Sequence, residues 1–286
     1  MELNTDDLNL HYEDDGDPTA PPILVLHGIT QSVATWGWLV PHLADAHRVV
    51  RLDLRGHGRS GRTPGAYEFP GYIADAVAVC EQVLGQPAVV VGHSLGGGIA
   101  AGLAQTRPEL VRGVVLEDPA IMAPSTSGAE ALEGNSLLDG FRLMRASIPQ
   151  MQEAGMSASD LADVLRGAPS PAGPLFGDVL HDDAMQAMAE AMLQLDASVL
   201  DPVFDGTSVP VFDPDRPLPV PGIVLAGDPA SPDTIVREPD LARLAAHSPG
   251  VERRVITGVG HLIHDSKEHR QTVLDAVHDL LARLAD

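Results

Sequence analysis

The chain has 286 residues, a formal net charge of −22 and a single cysteine. Its length allows one large domain, or a core with an insert. The negative charge repels nucleic acid phosphates and anionic membranes, so we expect neither as a partner. A lone cysteine excludes an internal disulfide, no apolar run is long enough to span a membrane, and no signal peptide is visible. These features predict a cytoplasmic protein.

Strands and helices alternate along the first 120 residues. The alternating segment 8–12 is predicted to pair with residues 1–4 as an edge hairpin. Apolar runs typical of buried strands lie at 23–26 and 88–91, and further strands are predicted at 48–52 and 111–116. Helical patterns lie at 36–44, 72–84 and 95–105. This order predicts a mostly parallel, eight-stranded α/β sheet with helices on both faces.

The alternation breaks between residues 121 and 221. Helical patterns near 136–147, 157–166 and 180–195 are followed there by a proline-rich return. Strand patterns resume at 222–225 and 251–256, and a closing helix is predicted at 268–284. We therefore predict a core formed by residues 1–120 and 222–286, with a helical cap at 121–221.

A glycine-flanked serine lies between the strand at 88–91 and the helix at 95–105. In the sequence Gly92-His93-Ser94-Leu95-Gly96, the two glycines leave room for a sharp turn that exposes the serine hydroxyl. The helix N-terminus behind the turn stabilises developing negative charge. The alternative interpretation is an ordinary glycine-rich turn, because so short a motif also occurs by chance.

A nucleophilic serine needs a base and an oxyanion hole. His261 follows the strand at 251–256 through a glycine-containing loop, which makes it the candidate base. The backbone N–H groups of Leu95 and Ile29 are the candidate oxyanion donors. His27, Trp36 and His93 are candidate substrate contacts.

Four motifs in order resemble the α/β-hydrolase superfamily. They are His27-Gly28, the segment Asp53-Leu54-Arg55-Gly56-His57-Gly58-Arg59-Ser60, the elbow at 92–97, and Gly258-Val259-Gly260-His261. The resemblance covers about residues 1–120 and 222–286. It implies a helical cap after strand six and a Ser–His–acid triad.

The triad acid has three candidates. The resemblance implies the loop after strand seven, where Asp228 is the preferred residue and Asp233 fits if the loop carries an insertion. Some members of the superfamily place the acid after strand six, where this chain has Asp118. We expect Asp228 and keep Asp118 and Asp233 as alternatives.

The nucleophile type defines the expected chemistry. A serine at the elbow, rather than an aspartate, disfavours epoxide opening and halide displacement, and it favours acyl transfer through an acyl-enzyme. We expect hydrolysis of a carboxylic ester or lactone of a small, partly apolar substrate, without metal or cofactor, by a monomer or homodimer. The alternatives are a carbon–carbon bond hydrolase, a thioesterase, an aminopeptidase, a cofactor-free haloperoxidase-like enzyme and a non-catalytic binding protein.

Overall fold

An eight-stranded sheet forms the centre of the molecule. The computed structural model describes residues 1–5, 8–121 and 132–285. The strands are β1 (Glu2–Asn4), β2 (Asn9–Asp15), β3 (Pro22–Leu26), β4 (Arg48–Leu52), β5 (Ala88–His93), β6 (Val111–Glu117), β7 (Gly222–Ala226) and β8 (Val251–Val255). Their spatial order is β1-β2-β4-β3-β5-β6-β7-β8. The first two strands form the predicted antiparallel hairpin, and β3 to β8 pair in parallel.

The sheet is covered on both faces because its central strands contain continuous apolar runs. Leu24 and Val90 pack into one hydrophobic cluster, whereas their neighbours Ile23 and Val89 pack into a second cluster on the opposite face. Alternate residues of a strand point to opposite faces, so continuous apolar runs bury both. This confirms the predicted fold class.

Helices flank the sheet, and five of those that the structure describes lie in the segment of sequence that connects β6 to β7. They are α1 (Val40–Leu43), α2 (Phe69–Val79), α3 (Leu95–Thr106), α4 (Ser136–Glu153), α5 (Ala158–Arg166), α6 (Phe176–Val179), α7 (Asp182–Gln194), α8 (Asp201–Asp205), α9 (Glu238–His247) and α10 (Arg270–Ala285). None of the helices in the described part of the chain is long and apolar enough to cross a membrane. The sequence patterns did not indicate α9.

The helices α4 to α8 come after β6 and before β7 in the sequence, and we call them the insert. Polar contacts fasten the insert to the rest of the chain. The hydroxyl of Tyr67 donates to Asp196 at 2.7 Å, and Arg270 forms two hydrogen bonds with Asp183 at 2.8 and 3.0 Å. Apolar side chains of the insert, such as Phe141 and Met192, belong to the hydrophobic cluster on one face of the sheet. The insert therefore covers the edge of the sheet where β5 ends.

Candidate active site

Ser94 lies on a strained turn between β5 and α3. Its backbone has φ 54° and ψ −115°, a conformation that side-chain-bearing residues rarely adopt. A Cβ on Gly92 would lie 2.3 Å from the carbonyl oxygen of Gly96, and one on Gly96 would lie 2.3 Å from that of Leu26. Both glycines are therefore needed for the backbone crossing, as the sequence predicts.

Backbone strain concentrates around this turn. Among the described residues other than glycine, positive φ values occur at Thr30 (71°), Ser94 (54°) and Asp118 (35°). These residues follow β3, β5 and β6, which are neighbours in the sheet. Strained backbone persists where the surrounding structure enforces it, commonly at functional sites. The three strained positions thus mark one edge of the sheet.

An apolar cavity of about 50 Å³ opens beside Ser94. Ile29 and Leu95 line the cavity together with the serine, and the remaining lining residues are Phe69, Ala120, Leu132, Leu137, Phe141, Val203, Ser208 and Ile235. Leu95 is the first residue of α3, so its N–H has no partner within the helix. The cavity therefore brings together the serine and both residues predicted to supply oxyanion donors.

His261 lies against a buried carboxylate at the end of β6. Its Nδ1 is 2.6 Å from Oδ2 of Asp118, which is fully buried. The same carboxylate accepts hydrogen bonds from the backbone N–H groups of Ile235 (3.0 Å) and Val236 (3.1 Å). An aspartate held in this way orients the imidazole and stabilises its charged form. The loop after β7 thus supplies hydrogen-bond donors to the acid.

The structure corrects the expectation that Asp228 is the acid. Its carboxylate accepts from the backbone N–H groups of Gly258 (2.8 Å) and Ala230 (2.9 Å), which lower the pKa of that carboxyl. The Asp228 carboxylate therefore connects the loop after β7 to the loop after β8, and it does not orient the imidazole. Asp233 accepts from the backbone N–H of His261 at 3.3 Å, so it supports the histidine loop without contacting the ring. Asp118 replaces Asp228 as the residue that orients His261.

His27 and Trp36 are not among the residues that line the cavity beside Ser94, so their prediction as substrate contacts gains no support there. The His27 ring accepts from the Leu54 N–H at 3.1 Å and donates to the Gly28 carbonyl at 2.8 Å, and burial lowers its pKa to about 4. The Trp36 ring is fully buried and stacks on His264, with centroids 4.5 Å apart. Both side chains therefore contact buried protein groups next to the candidate site.

His93 borders a second cavity, of about 100 Å³, which also contains His261. Its Nδ1 lies 2.9 Å from Oε1 of Gln31, and its Nε2 lies 3.0 Å from the carbonyl oxygen of His261. Burial, together with the neighbouring His261 and His264, holds the pKa of His93 well below its usual value. Both ring nitrogens thus face protein groups, which does not support the predicted substrate contact.

A buried polar group that the sequence motifs did not indicate lies behind Ser94 and His261. Nδ1 of His264 lies 2.8 and 2.9 Å from the two carboxylate oxygens of Glu117, and its Nε2 lies 3.4 Å from the buried Asp265. Burial acts to lower the pKa of His264, but Asp265 and Glu117 outweigh it, so the pKa is raised. In sequence, only the position of Glu117 at the end of β6 could have indicated this contact.

One cluster of side chains in the described part of the chain has ligand atoms close enough together to bind a metal ion. Ligand atoms of His93, Glu117 and His264 all lie within 4.8 Å of one another. Glu117 and His264 already pair with each other, and His93 faces Gln31 and His261. These hydrogen bonds account for the grouping, so we assign it no metal.

Comparisons with known proteins agree with this geometry. A family model described as alpha/beta hydrolase fold matches residues 21–154. The chain is 39% identical over 99 residues to a serine hydrolase-like protein of Danio rerio, which aligns over 34% of this chain and 30% of that protein. It is 27% identical over 255 residues to a 2-(acetamidomethylene)succinate hydrolase of Mesorhizobium japonicum, covering 86% and 84% of the two chains. The match to the first relative thus spans less than two thirds of that relative's length.

Solved structures extend the comparison to the whole chain. A carboxylesterase structure from Nitrososphaera gargenis superposes with a TM-score of 0.76 over 100% of this chain and 99% of that one, at 20% identity. An identity this low supports the fold alone. The sheet order, the serine elbow and these matches together show that the chain has the alpha/beta hydrolase fold.

Proposed function

We propose that the protein is a serine hydrolase that cleaves a carboxylic ester or lactone through an acyl-enzyme on Ser94. The observation that carries the proposal is the strained elbow, which places Ser94 in an apolar cavity with Ile29 and Leu95. A serine hydroxyl is a weak nucleophile and needs a base with an orienting partner. The pair of His261 and Asp118 supplies that arrangement.

The reaction proceeds in two halves. Ser94 Oγ attacks the carbonyl carbon while Nε2 of His261 takes its proton, and the N–H groups of Ile29 and Leu95 bind the oxyanion. His261 then protonates the leaving alkoxide, which departs as the alcohol. Water attacks the acyl-enzyme in the same way, releasing the acid and restoring the serine.

The cavities favour an uncharged, apolar acyl group. Neither Arg nor Lys is among the described residues that line the cavities beside Ser94 and His261. The segment 122–131, which lies outside the described residues, contains neither type in its sequence. The second cavity instead includes the carboxylate-bearing Asp233. A carboxylate on the acyl group would be desolvated there without a positive partner.

A third cavity, of about 290 Å³, continues outward from Asp233 between the insert and the histidine loop. It contains the chain's only lysine, Lys267, whose side chain is exposed and donates to the carbonyl oxygen of Gly177 at 2.7 Å. The leaving group would extend toward this more polar space. The substrate class we propose is therefore an ester with a short neutral acyl group.

Two p-nitrophenyl esters with four-carbon acyl groups test this class. The butyrate is neutral, whereas the hemisuccinate carries a carboxylate at the far end of the acyl chain. We expect kcat/KM to be about 100-fold higher for the butyrate, since an unpaired buried charge costs roughly 3 kcal/mol. The variant S94A provides the background rate for both. Equal or better cleavage of the hemisuccinate would contradict the substrate class, and no cleavage of either ester, nor of a lactone and longer esters, would contradict the hydrolase.

A further inference from the structure

Four buried polar side chains form one network behind Ser94. Gln31, His93, Glu117 and His264, which we call the rear network, are each 4% exposed or less. They follow or end four different strands, β3, β5, β6 and β8. Buried polar groups are costly unless they are paired, and a paired network holds its members in one arrangement. The rear network is therefore suited to fix the loops that carry the candidate active site.

Gln31 has the central position in the rear network. Its Oε1 accepts from the backbone N–H of Gly28 at 2.8 Å and lies 2.9 Å from Nδ1 of His93. Its Nε2 lies 3.4 Å from Nε2 of His264. A Cβ on Gly28 would lie 2.7 Å from Nδ1 of His93 and 2.9 Å from Oε1 of Gln31, so the glycine permits this close approach.

The contact with Gly28 bears on the oxyanion hole. Gly28 precedes Ile29, and its two backbone groups are both held: the N–H by the Gln31 side chain, and the carbonyl by the His27 ring and the Gln31 backbone N–H. The carbonyl of Gly28 and the N–H of Ile29 belong to one planar trans peptide and point in opposite directions. Holding Gly28 from both sides therefore sets the direction of the Ile29 N–H.

The contact with His93 reaches the catalytic base. The ring of His93 lies between Oε1 of Gln31, 2.9 Å from its Nδ1, and the backbone carbonyl of His261, 3.0 Å from its Nε2. The neutral ring donates to one of these two oxygens and packs against the other. His264, three residues further along the same loop, is held by Glu117 through both its ring and its backbone N–H at 2.9 Å. The rear network thus joins the oxyanion loop to the histidine loop.

We propose that Gln31 is a positioning residue that aligns the Ile29 N–H with His261 through His93. The proposal rests on the proposed function, because it assigns Gln31 to the oxyanion hole of that same site. A displacement of about 1 Å in an oxyanion-hole donor lowers the rate of the chemical step by up to roughly 100-fold. Loss of the Gln31 amide therefore slows the attack of Ser94 and leaves ground-state binding of the acyl group in place.

The variant Gln31→Met removes both polar atoms at nearly constant volume. The main readout is the second-order rate of Ser94 phosphonylation by a fluorophosphonate, because its phosphoryl oxygen takes the oxyanion position whatever the natural substrate. We expect this rate and kcat for p-nitrophenyl butyrate to fall about 10- to 100-fold per titrated active site. We expect KM to change less than kcat, because Oε1 of the amide contacts Gly28 and His93, although Gln31 also borders the second cavity.

A matched control and a conservative variant sharpen the experiment. Thr35 is buried in the short 3-10 helix that follows Gln31, and its hydroxyl has no partner among the described residues, so Thr35→Val is expected to keep the wild-type rates. Gln31→Glu retains an acceptor for the Gly28 N–H and is expected to recover part of the lost rate. If Gln31→Met does not fold, the smaller Gln31→Ala is measured in its place, with the same expectations.

The outcomes separate the two proposals. Wild-type rates in Gln31→Met, or a loss confined to KM, overturn the positioning role while the hydrolase stands. A loss in Thr35→Val as large as that in Gln31→Met also overturns it, because any change in the loop would then suffice. Failure of the wild-type protein to react at Ser94 overturns the proposed function and the positioning role together.

Discussion

Nδ1 of His261 lies 2.6 Å from Oδ2 of Asp118, and this contact joins the loop after β8 to the end of β6. Two backbone N–H groups from the loop after β7 complete the surroundings of the carboxylate. The carboxylate beside His261 thus comes from the end of β6, and the loop after β7 donates hydrogen bonds to it. The arrangement explains why Asp118 adopts a strained φ of 35°: the turn aims its carboxylate at both loops.

Replacing the acid tests this contact. We expect Asp118→Asn to lower kcat for an ester by about 10³- to 10⁴-fold, because an amide in place of the carboxylate no longer holds the imidazole in the required tautomer. Asp228→Asn is the matched control, since its carboxylate bonds only backbone N–H groups at the surface, and it is expected to keep most of the activity. The reverse ranking of the two variants would restore Asp228 as the acid.

A single side chain of the insert limits the acyl cavity. Phe141 is buried and lines the cavities beside both Ser94 and His261. We expect Phe141→Ala to shift the preferred p-nitrophenyl ester toward longer acyl chains, because it removes a wall of the site. Leu143, on the same helix and 69% exposed, provides the control Leu143→Ala. An unchanged chain-length profile in Phe141→Ala would show that the acyl group binds elsewhere.

Buried histidines make the protein less stable in mild acid. Burial, aided by His27, lowers the pKa of His57 to about 3, whereas the unfolded chain has a value near 6.5. Below pH 6.5 the unfolded state therefore binds a proton that the folded state does not, and stability falls as the pH falls. His57 accounts for about 2 kcal/mol of the loss between pH 7 and pH 5.

The variant His57→Phe removes the contribution of His57 to the pH dependence of the free energy of unfolding, and it keeps an aromatic ring at this position. Urea unfolding at pH 7 and pH 5 is expected to show a pH-dependent loss about 2 kcal/mol smaller in the variant than in the wild type. An equal loss in both proteins would show that His57 is protonated in the folded state at pH 5. The comparison uses differences between two pH values, so a uniform change in stability cancels.

The single cysteine is expected to be unreactive in the native protein. Cys80 is 1% exposed, and burial raises the pKa of its thiol to about 12. Thiolate is the reactive form, and at pH 8 it would be about 10⁻⁴ of the total. Iodoacetamide is expected to modify Cys80 in urea and to leave it intact in buffer. Modification of the native protein at the rate of a free thiol would contradict this burial.

Local patterns in the sequence predicted most of the sheet. Continuous apolar runs are typical of strands buried on both faces, and their short length and many valines separate them from buried helices. The helix α9 was missed although it carries start signals: Pro239 lies in its first turn, and Asp240 accepts from the Arg237 N–H at 3.0 Å. The apolar spacing that follows is short, because only Leu241 and Leu244 of this helix are buried.

The candidate site could be predicted only as far as local sequence determines it. Ser94 and the oxyanion loop follow from short motifs, whereas the contact between His261 and Asp118 spans 143 positions and depends on the order of the strands. The direction of a side chain is likewise absent from such patterns. Trp36 follows the oxyanion loop in sequence, yet its ring turns inward onto His264.

The central claim is that Ser94 becomes acylated, and a fluorophosphonate tests it most directly. Peptide mass spectrometry of the labelled protein is expected to find the phosphonyl group on Ser94, in wild type and not in Ser94→Ala. Labelling of Asp118→Asn is expected to be slower by orders of magnitude, because the base loses its orienting partner. Labelling of a different residue, or none in the folded wild-type protein, would contradict the account.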